Sequence, residues 1–279
     1  MVPRIAPTAK FKLKAGRNQP PAFSRQEVRD TFADMHAPFA QKLKNTVWLG
    51  LLSTAVAFLY LGHQVNSSWG KAIEKRFGSH QAPFDIFLAE FLLAAVPVFI
   101  CSGVGFFLSE RYRLPGLGDV RHILKHIPLF LLASIVAMPL AYFLHDRIFI
   151  LGTRDLGWPA MIPEGPGWSF AFLAYSALFK EVIFRFGLLT MIAGFFRGRH
   201  PWWAVGAVAA FTAGLSMREL TFAGHVVGYD LMTFSTFLWA LLFNAALGAA
   251  YIREGLWVSM TLRVCIDFRF VLYGLLGYL

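Results

Sequence analysis

Ionisable side chains stand inside two strongly apolar stretches of this 279-residue chain. In the first, Lys180 and Glu181 are followed by Arg185, and in the second Arg263 precedes Asp267 by four residues. Glu181 and Arg185 have that same spacing, which places an acid and a base on one helix face where they form an ion pair. A charge in an apolar helix is costly, so it indicates either a functional site or a buried pair that fixes helix register.

Lys180 needs a partner from elsewhere in the chain, because no acid stands at the matching position of its own stretch. An ammonium group without a counter-charge in an apolar environment otherwise loses its proton. Glu90 and Asp267 are the candidates for that partner. The sequence therefore predicts a buried ion network of six residues: Glu90, Lys180, Glu181, Arg185, Arg263 and Asp267.

The composition excludes an ordinary soluble domain. Apolar residues make up 57% of the chain and charged residues 15%, whereas soluble globular proteins average about 45–50% and about 25%. The 29 Phe, 8 Trp and 8 Tyr exclude a disordered chain, and two cysteines cannot build a disulfide framework. Cys101 and Cys265 both lie in apolar blocks and are expected to be small buried residues.

Seven apolar blocks approach the length of about 20 residues that a membrane-spanning helix needs. The sequence therefore predicts an all-α, polytopic transmembrane bundle of about seven spans, in which the first and fifth are short. It divides into a basic N-terminal segment (1–45), three N-terminal spans (46–145) and a C-terminal core (146–279). The predicted spans are 46–62, 84–108, 127–145, 168–196, 201–216, 231–252 and 256–279.

The net charge of +10 is concentrated near the N-terminus, where nine of the 26 Lys and Arg residues precede position 46. That clustering favours contact with anionic lipid headgroups, and no nucleic-acid-binding module follows it. With a cytoplasmic N-terminus, 16 basic residues face the cytoplasm and 6 face the other side, as the distribution of Lys and Arg in membrane proteins requires. After Ser24, apolar residues at helical spacing up to Leu43 predict an amphipathic helix, either in the headgroup plane or docked on the protein's own loops.

Three motifs in the last hundred residues resemble those of the CPBP family, also called ABI, of polytopic membrane proteins. The family includes CAAX prenyl endopeptidases and bacteriocin-processing or bacteriocin-immunity proteins. Its Glu-Glu-x-x-x-Arg motif is similar to the run from Lys180 to Arg185, and its Phe-x-x-x-His motif to Phe211–Leu215. Its last motif, His-x-x-x-Asn or His-x-x-x-Asp, is similar to Arg263–Asp267, which follows the sequence YIREGLW. The resemblance covers residues 168–270 and implies the family's four-helix core.

The resemblance implies a glutamate-dependent intramembrane peptidase, but this chain departs from the motifs at the reacting positions. Lys180 stands at the first glutamate, Leu215 at the first histidine and Arg263 at the second histidine. A protonated lysine cannot act as a general base, and a leucine can neither transfer a proton nor bind a metal. Glu181, Arg185 and Asp267 match the family pattern, and we expect them to hold the helices together.

We therefore expect a catalytically degenerate CPBP-like protein that acts as a scaffold, chaperone or regulator of another membrane protein. One alternative is an active CPBP-type endopeptidase that uses Glu181, with His225 as a further group. The other alternative is a protein that binds an anionic lipid or an isoprenoid at the cationic site of Lys180 and Arg263.

The sequence predicts neither a cofactor nor a metal. His122 and His126 have a metal-compatible spacing of four residues, but the sequence shows no third ligand for them. The expected partners are the lipid bilayer and another membrane protein, and nucleic acid is not one of them. We expect an integral protein of a bacterial inner membrane with its N-terminus in the cytoplasm.

Overall fold

The structure is a computed structural model that describes residues 25–65, 71, 82–147, 166–223 and 231–275. The described part consists of helices and the turns between them and forms seven helical segments, the last of which is broken in two. Their bounds are α1 Arg25–Val65, α2 Ala82–Leu108, α3 Arg121–Ala141, α4 from Pro166–Ala174 to Thr190–Phe195, α5 Pro201–Ala223, α6 Leu231–Glu254, α7 Leu256–Asp267 and α8 Arg269–Leu275.

Four helices of the described part are long and apolar enough to cross a membrane, as the sequence predicts for a polytopic membrane protein. These windows are Pro38–His63, Phe91–Leu108, Arg121–Asp146 and Phe234–Glu254, in α1, α2, α3 with its extension, and α6. Two other segments fall short of a membrane span in length or in composition. Helix α7 has 12 residues, fewer than the roughly 20 that a straight span requires, and α4 contains three charged residues within six positions.

Helices α2 and α3 expose most of their apolar surface. Only 18% of the apolar window of α2 and 17% of that of α3 are buried inside the protein. On α3, Leu124, Leu131 and Ile135 are all exposed. Contiguous apolar faces of this extent are unfavourable in water and are typical of surfaces that contact lipid or another membrane protein.

Helix α4 lies at the centre of the bundle. It packs against α2, α6 and α7, while α5 packs mainly along α6. Phe186 and Leu189 of α4 are fully buried in the main apolar core, beside Val208 of α5 and Tyr251 of α6. The Tyr251 and Thr190 hydroxyls are 2.7 Å apart and link α6 to α4. The middle part of α4, which carries the buried charges, is thus covered by the helices around it.

Three π-helical turns interrupt the regular helices. Two lie in α4, at Tyr175–Lys180 and Val182–Leu189, and the third extends α3 over Tyr142–Asp146. A π turn carries one extra residue per turn and changes the direction of the side chains that follow it, so it is frequently found at functional positions. All three turns here carry or flank buried polar side chains, which are described below.

Three turns meet at one end of the bundle. A Cβ atom on Gly198, after α4, would lie 2.7 Å from the carbonyl oxygen of Tyr112, in the turn after α2. Gly255 joins α6 to α7 with φ of 99°, and a Cβ there would lie 2.6 Å from the Cα of Gly118. Only glycine allows both the left-handed backbone and this close approach. The amides of Leu256 and Trp257 donate to the carbonyls of Gly116 and Leu117, which cap the start of α7.

Two details of the predicted spans are wrong. The first and the fifth were expected to be short, but the apolar window of α1 has 26 residues and α5 has 23 residues. The seventh was expected to be continuous from 256 to 279, but it breaks at Phe268 between α7 and α8. The predicted amphipathic segment falls within the bounds of α1, but most of its side chains lie outside the described residues.

Candidate functional site

Glu181 lies between the two π turns of α4 and is fully buried. Its Oε1 accepts a hydrogen bond from Arg263 Nη1 at 2.8 Å and lies 3.2 Å from Arg185 Nη1. Its Oε2 accepts a hydrogen bond of 2.5 Å from the Ser259 hydroxyl. Both carboxylate oxygens are therefore engaged by side chains of α4 and α7, which compensates the burial of the charge.

Arg185 extends the network from α4 to α6. Its side chain has no solvent exposure, and Nη2 donates to the side-chain oxygen of Asn244 at 2.5 Å and to the Asn244 carbonyl at 3.3 Å. Asn244 in turn donates from Nδ2 to the carbonyl of Ala240 at 2.7 Å. The side-chain amide of Asn244 therefore both accepts and donates a hydrogen bond, and Arg185 links α4 to α6.

Asp267, at the end of α7, continues the network in the opposite direction. Its Oδ2 lies 3.4 Å from Arg263 Nε and accepts a hydrogen bond of 3.0 Å from the Ser176 hydroxyl of α4. Its Oδ1 accepts a hydrogen bond of 2.9 Å from Arg269 Nη1. Arginines, rather than Lys180, supply the ion pairs that the structure describes for this carboxylate.

Arg269 and Asp146 close the network at the break between α7 and α8. Arg269 Nε donates to Asp146 Oδ2 at 2.7 Å, and Nη2 donates to Oδ1 at 3.3 Å, so the two groups face each other in a bidentate pair. The Tyr273 hydroxyl donates to Asp146 at 3.1 Å, and His145 Nδ1 lies 2.7 Å from the same carboxylate. The π turn at the end of α3 thereby binds α8.

The structure thus contains a buried ion network whose members differ in part from the predicted set. Its six ionic groups alternate in sign, and their formal charges cancel. Three guanidinium groups face three carboxylates, and each of the six side chains is nearly or completely buried. Its members are Arg185, Glu181, Arg263, Asp267, Arg269 and Asp146. Charges in such surroundings require a counter-charge, and here each guanidinium group lies within ion-pair distance of a carboxylate.

The structure brings together four of the six residues that the sequence predicts for the network: Glu181, Arg185, Arg263 and Asp267. Lys180 is half-buried, and its ammonium lies 5.6 Å from the centroid of the Tyr175 ring. The side chain of Glu90 lies outside the described residues, as does His225. Leu215, at the family's histidine position, is a half-buried residue of α5.

Sequence reasoning missed Asp146, Arg269, Asn244, Ser259 and Ser176. Asp146 stands at the end of an apolar run beside His145 and Arg147, where a charged residue indicates the beginning of a loop. Arg269 is visible as a charge in the last predicted span, but its partner is 123 residues away. Asn244 and the two serines carry no charge, so a search for buried charges could not find them.

The retained glutamate of the resembled motif is engaged within the protein. A general base needs a lone pair directed at the proton that it removes, whereas both oxygens of Glu181 are bonded within the protein. Among the described residues, no group of three or more His, Cys, Asp or Glu side chains is arranged to hold a metal ion. The described contacts stabilise the buried charges of this site by pairing them with one another.

His122 and His126 have an acidic partner that the sequence did not reveal. Glu254, at the end of α6, lies 2.6 Å from His122 Nδ1 and 3.5 Å from His126 Nε2. All three side chains are partly exposed. They form a contact between the start of α3 and the end of α6, at the end of the bundle where the three turns meet.

The fold and the site define a polytopic membrane protein whose helices are joined by a buried, charge-balanced ion network. No family model matches the chain, and neither curated proteins nor solved structures provide a match. The CPBP resemblance therefore depends on its three motifs alone and stays a prediction.

Proposed function

We propose that this protein is a catalytically inactive, CPBP-like membrane protein that acts as a scaffold, chaperone or regulator of another membrane protein. One observation carries the proposal: both oxygens of Glu181 are bonded by Ser259, Arg185 and Arg263, so the retained glutamate is a structural anion. The substitution of Lys180 and Leu215 at two reacting positions of the resembled motifs supports it.

The outer surface supports a partner within the membrane. Helices α2 and α3 bury less than a fifth of their apolar windows against the rest of the protein. Faces of that kind are available to the helices of another membrane protein, where packing and hydrogen bonds between helices drive association. A bundle with open apolar faces is suited to hold a partner helix.

We further propose a bacterial inner membrane with the N-terminus in the cytoplasm. The turns after α2 and α4 lie together and expose Arg111, Arg113, Arg197 and Arg199. Such a cluster favours the cytoplasmic side by the positive-inside rule. The four apolar helices are compatible with any membrane of ordinary thickness.

The test is purification of the tagged protein from its native membrane in mild detergent, followed by mass spectrometry of everything that stays bound. The proposal predicts one intact membrane protein in stoichiometric amount. To detect any cleavage product, the peptides present in the native membrane are also compared between strains that carry the wild type, Glu181→Gln or Asp146→Asn. The two variants disrupt opposite ends of the network, so each controls for loss of stability in the other.

Two outcomes would contradict the scaffold. A cleavage product that disappears with Glu181→Gln and persists with Asp146→Asn would support the alternative peptidase. A bound isoprenoid or anionic lipid that is lost with Lys180→Ala or Arg263→Ala would support the ligand-binding alternative. The geometry favours neither, because Ser259 and Arg263 engage the two oxygens of Glu181 and the Arg263 guanidinium is already paired with Glu181 and Asp267.

A further inference from the structure

A groove of about 510 Å³ lies between α1, the end of α2 and the start of α7. Its volume falls within the range of ligand-binding sites, roughly 300–1,000 Å³. None of its lining residues belongs to the buried ion network, so it is a separate feature. The lining is apolar except for one asparagine: Asn45, Trp48, Leu49, Leu51, Leu52, Ala55, Phe106, Leu117 and Trp257.

The α1 wall of the groove has the length of one membrane leaflet. Asn45 and Ala55 are ten residues apart, which corresponds to about 15 Å at a rise of about 1.5 Å per residue. That is half of the hydrocarbon thickness of about 30 Å. Lys44 is the last charged residue before the apolar run of α1, so the groove begins at the membrane interface. Trp48 and Trp257 lie near that interface, where an indole has both apolar and polar surroundings.

Exposed basic side chains stand at the interfacial end of the groove. Lys44 immediately precedes Asn45 of the groove wall and stands one turn before Trp48, so it lies on the same face of α1 as Trp48. Arg111 and Arg113 are exposed in the turn that follows α2, the helix that contributes Phe106. Glu110 does not cancel this charge, because it is bonded to Lys42 at 2.5 Å.

We propose that this groove binds one anionic phospholipid, with an acyl chain along Trp48, Leu52 and Phe106 and the phosphate at Lys44. The apolar wall provides length and shape for the chain, and the basic rim selects the charge of the headgroup. Lipid at an open apolar face such as that of α3 contacts one helix surface, whereas this groove contacts an acyl chain from α1, α2 and α7. A site built from a leaflet-long groove and a cationic rim retains an anionic lipid in preference to a neutral one.

The test uses the full-length protein in nanodiscs that contain equal amounts of phosphatidylglycerol and phosphatidylcholine. Native mass spectrometry of the released protein then counts the lipids that stay bound. The wild type is expected to retain one phosphatidylglycerol. Lys44→Glu is expected to lower the retained anionic-to-neutral ratio by more than about fivefold, because loss of one basic side chain near a membrane surface alone accounts for about fivefold and the new carboxylate repels the phosphate.

A pair of variants separates the groove from the rest of the surface. Ala55→Phe places a ring in the groove and is expected to remove the retained lipid, whereas Leu59→Phe, one turn further along α1, is not. Lys125→Glu on α3 is the matched control for Lys44→Glu, because both lysines are exposed. Retention of the two lipids in their bulk ratio would overturn the proposal. Equal retention by Ala55→Phe and Leu59→Phe, or equal effects of the two lysine variants, would do so as well.

Discussion

Glu181 joins two arginines and a serine from two different helices, so its removal affects three side chains at once. We expect Glu181→Gln to lower the free energy of unfolding by about 3–5 kcal/mol, because it leaves Arg185 and Arg263 as buried charges without their shared anion. The measurement is the thermal midpoint of unfolding in detergent. Lys125→Gln, on an exposed position of α3, is the control and should leave the midpoint nearly unchanged. Equal midpoints for both variants would refute the structural role of Glu181.

Asp146 and Arg269 should behave as one unit, because they face each other in a buried bidentate pair. We expect Arg269→Met and Asp146→Asn each to destabilise the protein strongly, since each leaves one buried charge of the pair unbalanced. The double variant should be markedly more stable than the sum of the two effects predicts. A double-mutant cycle from unfolding midpoints measures the coupling. Strict additivity would show that the pair contributes nothing of its own.

Sequence spacing could predict the contacts within one helix but not those between helices. Glu181 and Arg185, like Arg263 and Asp267, are four residues apart, and helical geometry alone brings them together. The contacts from Glu181 to Ser259 and Arg263 span 78 and 82 residues and depend on how α4 and α7 pack. No local signal in the sequence reports that arrangement.

At the scale of elements, the π turns place the polar side chains of the network. Glu181 lies between two of them, and Asp146 ends the third. The apolar blocks of the sequence predicted the helices themselves, often to within a few residues: the sixth span was expected at 231–252 and α6 is Leu231–Glu254. The π turns and the break at Phe268 could not be predicted, because no proline, the usual sequence signal of an interrupted helix, lies within them.

The turn between α6 and α7 sets the start of α7 and thereby the position of Ser259 and Arg263. We expect Gly255→Ala to destabilise the protein by more than about 1 kcal/mol, because alanine disfavours a φ of 99° and its Cβ would meet Gly118. Gly206→Ala is the matched control: this glycine lies inside α5 with nothing within 4 Å of an added Cβ. Alanine there should be neutral or stabilising in the same unfolding measurement. Equal losses at both positions would contradict the role of the turn.

At the scale of the whole molecule, the exposed basic residues predict which end of the bundle faces the cytoplasm. In a variant with Cys101 and Cys265 replaced by serine, a membrane-impermeant thiol reagent should label Arg113→Cys and Arg199→Cys only after the membrane is permeabilised. Lys71→Cys, expected on the opposite side, should be labelled in intact cells or spheroplasts. Labelling of Arg113→Cys and Arg199→Cys from outside would reverse the proposed orientation. Different sidedness of the two would contradict the adjacency of their turns.

The long sequence separations within the ion network also affect how the protein is made. Helix α4 leaves the ribosome with Glu181 and Arg185 before Ser259 and Arg263 exist, and a gap of 82 residues corresponds to about 4–16 s of synthesis at about 5–20 residues per second. During that interval its charges lack their final partners, so stable insertion of α4 alone is unfavourable. Membrane integration of this segment is therefore expected to await the C-terminal helices. Nascent chains that stop before α7 should accumulate at the insertion machinery or be degraded.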